Sequence, residues 1–350
     1  MRLISAVFII VLLFSCKKEE PMLCVDETLN SGMAVLCEGL FQQNNSSISW
    51  VDFSDNSVTN ELFVAKTGRQ LGDTGNDMKR YGGKVYVAVN ISSTIEVLDA
   101  NSFTSVKQIE MIDGGTAKQP RSIAFYGTNV YVACFDGYVD VIDTTSLNVL
   151  QRIQVGTNPE DLAVSNGKLY VSNSGGLNGP VMDSTVSVID LTTHTELQKI
   201  VVGLNPGEIQ VDQGGDVYVI TRGNYGSIPS RMKRINTQLD VLEEEFSFDV
   251  SGISPMNDKF LVSYYDYSTT QSSVGLFNPQ SETLENASYL DVSPVNTLYG
   301  VHYDIGKNKI FLLDAMGFTN TGYVREYDVL GSYIISYHVG LNPTEILVYD

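Results

Sequence analysis

From Met33 to the end of the chain, short apolar runs alternate with polar turns, and the runs recur. One run ends each time on Asp or Asn: Asp52, Asp99, Asp143, Asp190, Asn236, Asn278 and Asp328, between 42 and 50 residues apart. An upstream run mixes β-branched and aromatic residues. It reads KVYVA from Lys84, NVYVA from Asn129, KLYVS from Lys168, DVYVI from Asp216, KFLVS from Lys259 and KIFLL from Lys309, with Met33 to Cys37 a degenerate first copy. This is strand composition. A terminal Asx suits a strand entering a hairpin, because its side chain accepts a hydrogen bond from the backbone two residues on. A third pattern, Val-Gly-x-Asn-Pro, ends at Pro159, Pro206 and Pro343, with Gln119-Pro120 and Ser293-Pro294 read as eroded copies. Each repeat therefore holds four short strands, and no amphipathic helical period stands out.

Four-stranded units of roughly 40–50 residues are propeller blades, and a single blade cannot bury both of its faces. The chain ends on Pro343 to Asp350, the first strand alone of a further repeat, while residues 33–63 supply three strands and lack the innermost. One plus three makes a blade. The pattern predicts an all-β fold, a seven-bladed β-propeller of four-stranded blades closed by the C-terminal strand joining the N-terminal blade. Closure also hides strand edges that invite aggregation. The expected organisation is a signal peptide over 1–15, a tether over 16–30 and the propeller over 31–350.

The V-G-x-N-P and K-x-Y-V pairing resembles the YVTN repeats of YncE-like propellers, over about residues 33–350. Blades two to four match well. Blades five to seven depart: Asp249 to Pro255 loses the spacing, and tyrosines replace the short turn after Leu261.

The first residues read as an address. Arg2 precedes an apolar stretch, Leu3 to Phe14, too short to span a bilayer and of signal-peptide length. Leu13-Phe14-Ser15-Cys16 resembles a bacterial lipobox, which implies cleavage before Cys16 and acylation of its thiol; several acyl chains anchor a protein stably. Lys17-Lys18-Glu19-Glu20-Pro21 looks like the export signal of Bacteroidota surface lipoproteins, which implies the outer membrane with the domain facing outward. That compartment permits disulfides. A Cys24–Cys37 bridge stays open against the reading of Cys24, Cys37 and Cys134 as small buried hydrophobes, and no C-x-x-C pair occurs.

Charge narrows the function. Lys+Arg is 22 against 41 Asp+Glu, a formal net charge of −19, which repels phosphate backbones and excludes nucleic-acid binding as a main function. None of the H-E-x-x-H, G-x-S-x-G or P-loop signatures occurs, and there are three histidines: His194 in a peripheral turn, His302 and His338 in strand-like segments. No enzyme, cofactor or metal is expected. Asp73 to Asp77 lacks the EF-hand spacing, so its acids read as turn caps.

The loops between second and third strands vary in length beyond what folding requires, and are rich in aromatics and amides. They share one face of a propeller with the loops leading into the innermost strands. The candidate ligand-binding residues are Phe41, Asn90, Phe135, Asp136, Arg222, Tyr225, Tyr264, Tyr265, Asp266, Tyr267 and Phe318. Asp73, Asn76, Asp77, Arg121, Glu160, Asp161, Glu208 and Glu345 fall near the same face. The chain looks like a relative of the cobalamin-capturing propeller lipoproteins. That resemblance implies capture of a small nutrient, a corrinoid or similar, and handover to a TonB-dependent outer-membrane transporter. A surface protein-interaction scaffold and a propeller lyase or hydrolase are the alternatives. A deep aromatic bowl would favour the first, a flat face the second, and a converging His/acid pair the third.

Overall fold

The computed structural model describes residues 28–177, 179, 181–266 and 271–350. The expected signal peptide, Cys16, Cys24 and Tyr267 lie outside them. The described chain forms seven four-stranded antiparallel sheets around a central axis, so the expected propeller is the fold. Blade one consists, from the axis outward, of Pro343–Tyr349, Gly32–Cys37, Ser47–Asp52 and Val58–Thr59. The C-terminal strand closes the ring by pairing antiparallel to Gly32–Cys37, with Leu347 opposite Ala34 and Ile346 opposite Val35.

The repeat explains the packing. In the second strand of blade two, Lys84–Val89, successive side chains face opposite sides. Val85, Val87 and Val89 pack toward blade one, while Tyr86 and Ala88 pack toward blade three against Ile123, Val130 and Val132. Tyr131, Tyr170 and Tyr218 do the same at the next three seams, and all four tyrosines are fully buried. The core is thus a ring of seven apolar clusters, one per inter-blade seam.

The Asn-Pro motif has a backbone reason. The residue before the innermost strand is left-handed in five blades: Thr74, Gln119, Asn158, Asn205 and Asn342 all have φ between 45° and 64°. Asn tolerates that region better than most residues. Its amide also ties the turn to a neighbouring loop, Asn158 Nδ2 donating to the Phe135 carbonyl and Asn342 Nδ2 to that of Gly39, both at 2.8 Å. Ser293-Pro294 does not hold this place. The innermost strand of blade seven begins at Leu298, and the N–H groups of Asn296 and Thr297 donate instead to Asp314.

One further departure is a helix, Leu62–Thr67, following the two-residue fourth strand of blade one. Its buried Leu62 and Phe63 cover the blade edge beside Trp50, and Gly68 ends it in the left-handed conformation. Six residues are too few to show a helical period, which is why the pattern concealed it.

Candidate functional site

The innermost strands enclose a cavity of about 780 Å³ on the axis. Six of the seven blades carry a register shift there: between Gly75 and Asp77, Pro120 and Ile123, Pro159 and Asp161, Pro206 and Ile209, Leu298 and Gly300, and opposite Leu36/Cys37 in blade one. Such a bulge sets two residues against one and re-aims side chains. As a result consecutive residues, Arg121-Ser122 and Glu160-Asp161, both line the cavity.

The lining is sorted along the axis, because position in a strand sets depth at about 3.3 Å per residue. At the loop end, Glu160 bridges two guanidiniums, with Arg121 at 2.6 Å and Arg222 at 3.4 Å. Arg121 also stacks on the Phe135 ring at 4.8 Å. Arg222 lies across Gly207, where a Cβ would stand 2.5 Å from its Cζ, so only glycine leaves room for it. Burial opposes ionisation of Glu160, but Arg121 and Arg222 outweigh it and hold its carboxyl below the ordinary value.

One residue deeper stand Asp77, Ser122, Asp161, Glu208 and Glu345, while Gly252 and Gly300 take the matching position in blades six and seven. Three of these acids join neighbouring blades: Asp77 accepts from Ile123 N at 2.7 Å, Asp161 from Ile209 N at 3.0 Å and Glu208 from Ile253 N at 2.8 Å. Ser122 Oγ adds a 2.6 Å bond to Asp161. The Glu345 carboxyl accepts no hydrogen bond among the described residues; His302 Nε2 is 3.7 Å from it. Deeper still, Lys79 Nζ lies 3.0 Å from Asp77 and donates to the Ile123 carbonyl at 2.7 Å.

Burial pushes Glu208 up to about 7, and burial followed by the charge of Asp77 pushes Glu345 well above the carboxylate range. Burial pushes His302 down to about 4, leaving it neutral at physiological pH. For Lys79, burial disfavours the charge, but Asp77, Asp161 and Glu345 overcome it and raise its pKa. A stability prediction follows for Glu208. The unfolded chain releases this proton near its ordinary value while the folded chain keeps it to about 7, so the stabilisation is present at low pH and lost as pH rises through 7. Glu208→Gln keeps an acceptor for Ile253 N. It should raise stability at pH 8 by up to about 3 kcal/mol and leave it unchanged at pH 4, as read by urea denaturation at both pH values.

Of the ligand residues expected from sequence, Arg222 lines the cavity. Phe41, Tyr225, Tyr265 and Phe318 are exposed around the loop face, Phe318 edge-on to Tyr299 at 5.2 Å. Phe135 lies under Arg121, and Asp136 pairs with Arg152. Asn90 is buried, its amide donating to the Pro120 carbonyl at 3.2 Å, so it ties blade two to blade three rather than meeting a ligand. Tyr264 is also corrected. The strand continues through Asp266, and the Tyr264 ring turns into the blade five–six seam against Phe248. Asp73 holds the blade-one loop, accepting from the N–H groups of Gln42 and Asn44.

Lys79 and Tyr299, not among the expected site residues, also line the cavity, as does His302, expected only in a strand-like segment. A usable signal was present for two of them. Lys79 and His302 each lie two residues after the position of Asp77 and Gly300 in their innermost strands. Among the described residues, no group of three or more His, Cys, Asp or Glu is arranged to hold a metal ion.

No curated protein matches the chain in sequence. Among solved structures it is similar to a quinonprotein alcohol dehydrogenase-like protein from Bacteroides thetaiotaomicron, with a TM-score of 0.66 and 12% identity, covering 91% of this chain and 78% of that one. Hydrazine synthase of Kuenenia stuttgartiensis gives 0.62 and 14%, covering 75% and 85%. Dihydro-heme d1 dehydrogenase NirN in complex with DHE gives 0.56 and 14%, covering 88% of this chain and 65% of that one. At these identities the likeness is one of fold. The model of the domain of unknown function DUF5074 matches residues 31–257, more than half of the chain and including the mouth arginines and four of the cavity acids, and the chain belongs to that family.

Proposed function

We propose that this protein is an acylated cell-surface lipoprotein of the outer membrane that holds a small polar nutrient in its central cavity and passes it to a TonB-dependent transporter. The observation that carries the ligand-binding part is the 780 Å³ cavity lined by convergent charged side chains beneath the long loops. That volume lies within the ~300–1,000 Å³ typical of small-ligand sites. The lipobox-like Cys16 and the Lys18-Glu19-Glu20 segment behind it support the anchored, outward-facing placement. The lining is polar rather than aromatic, so a corrinoid is one candidate among ligands rich in hydrogen-bonding groups.

The test is a thermal-shift screen with corrinoids, haem, siderophores, glycans and amino acids, since a ligand that binds only the folded state raises the melting temperature. A hit should weaken at least tenfold on Arg222→Gln, the loss of about 1.4 kcal/mol or more, with melting of the free protein little changed. A hit insensitive to Arg222→Gln would place binding elsewhere. A second reading, lyase or hydrolase, draws on the His302–Glu345 pair. Conversion of a bound compound to product, lost in His302→Ala, would establish it.

A further inference from the structure

We infer that the cavity takes a zwitterionic ligand of the α-amino-acid class, its carboxylate on Arg121 and Arg222 and its ammonium group between Glu208 and Glu345. The inference rests on the reading of the cavity as a ligand site and names the chemistry that site selects.

The mouth is the first ground. Arg121 and Arg222 each direct one nitrogen to the same oxygen of Glu160. A guanidinium carries five N–H donors in a planar fork suited to carboxylates. Most donors of this pair are therefore unengaged, and Nε of Arg121 is buried without a partner. Glu160 holds the two forks together while cancelling only one of their two charges.

The next level down is the second ground. Asp161 is fully engaged by Ser122, Leu162 and Ile209. Asp77 is held by Lys79 and Ile123 through one oxygen, while its other oxygen, on a side chain only 5% exposed, has no partner. Glu208 uses one oxygen on Ile253 N, and Glu345 uses neither. The acceptors that remain are a Glu208 oxygen and the whole Glu345 carboxyl, with Asp77 behind them.

The two charge signs sit close together. Arg222 lies over Gly207, the residue immediately before Glu208. Gly252, in the next blade, leaves the Glu208 carboxyl its place, since a Cβ there would stand 3.2 Å from Glu208 Oε2. A purely anionic ligand would set its charge against Glu208 and Glu345, and a purely cationic one would lie beside both arginines and Lys79. A molecule with both charges serves both levels: its ammonium favours the ionised form of Glu345, whose proton burial and Asp77 otherwise retain, and a buried charge left unpaired is costly.

The experiment is equilibrium dialysis of the detergent-solubilised full chain against the standard L-amino acids at about 1 mM, with retained compounds read by mass spectrometry. Parallel dialyses use the N-acetyl and the carboxamide derivatives. At least one amino acid should be retained, and both blocked forms of it should bind at least about tenfold more weakly. Glu345→Gln and Arg222→Lys should each weaken the free amino acid by a similar factor, the first by removing the carboxyl that ionises against the ammonium and the second by removing the fork. Retention of no amino acid, or equal retention of blocked and free forms, overturns the inference. If a neutral or singly charged compound from the thermal-shift screen binds in an Arg222-dependent way, the cavity is a ligand site and the zwitterion assignment is wrong. If no compound of any class binds, both fall.

Discussion

A chain lacking residues 343–350 is expected to aggregate or to melt far below the full-length protein. Pro343–Tyr349 is the innermost strand of blade one, and Gly32–Cys37 beside it is completely buried. Removing the closing strand opens two seams together. Ile346 belongs to the cluster between blades seven and one, and Tyr349 to that between blades one and two. The Tyr349 ring meets Trp50 at 5.6 Å and Phe103 at 5.9 Å, and Arg80 lies over it at 5.1 Å. Each buried large apolar side chain is worth about 1.5–3 kcal/mol, so losing three or four approaches the whole ~5–15 kcal/mol margin of a typical domain. The truncation also bares the hydrogen-bonding edge of Gly32–Cys37, a template for pairing with other chains. Size-exclusion chromatography and thermal melting monitored by circular dichroism check this. A soluble monomer with the melting temperature of the full chain would contradict it.

The ring was readable from sequence because its physics repeats. A buried second strand needs apolar residues on both faces, and the K-x-Y-V runs supply them seam after seam. The Asx that ends each third strand serves a local turn: Asp99 Oδ1 accepts from the N–H groups of Asn101 and Ser102, and Asp190 Oδ1 from those of Thr192 and Thr193. The site was less readable, because it depends on differences between copies. At one position of the innermost strand the blades carry Asp77, Ser122, Asp161, Glu208, Gly252, Gly300 and Glu345. Their convergence exists only once the ring closes. The bulges that turn neighbouring residues inward leave no mark in the periodicity. The aromatic loops drew attention because exposed Tyr and Phe stand out in a sequence, yet Phe41, Tyr225 and Phe318 rim the face while the cavity beneath is lined mainly by strand residues. His302 lies in a strand-like segment, where core or surface is the ordinary expectation; what the sequence concealed is that an innermost strand turns one side to the axis.

Replacing Asp140 by Ala is expected to destabilise the protein by about 3–5 kcal/mol, the usual result of removing one partner from a buried ion pair. Asp140 lies in Tyr138–Asp143, the third strand of blade three, and has no solvent exposure. One oxygen accepts from Lys118 Nζ at 2.6 Å, the other from Arg152 Nε at 2.8 Å. Lys118 is itself nearly buried, so without Asp140 its ammonium is left with no carboxylate within salt-bridge distance among the described residues. Arg152 keeps Asp113 and Asp136 and remains stacked on Tyr138, with its Cζ 4.1 Å from the ring centroid, so Lys118 bears most of the penalty. The double change Lys118→Met with Asp140→Leu removes both buried charges and should recover most of the loss, giving a large coupling in a double-mutant cycle followed by urea denaturation. The same geometry reassigns Asp136. Its carboxylate pairs with Arg152 inside this network, so Asp136→Asn should lower stability without changing ligand affinity, whereas Arg222→Gln should do the reverse. An Asp140→Ala variant within about 1 kcal/mol of the parent would mean that water reaches Lys118 and that the network is not the scaffold of this seam.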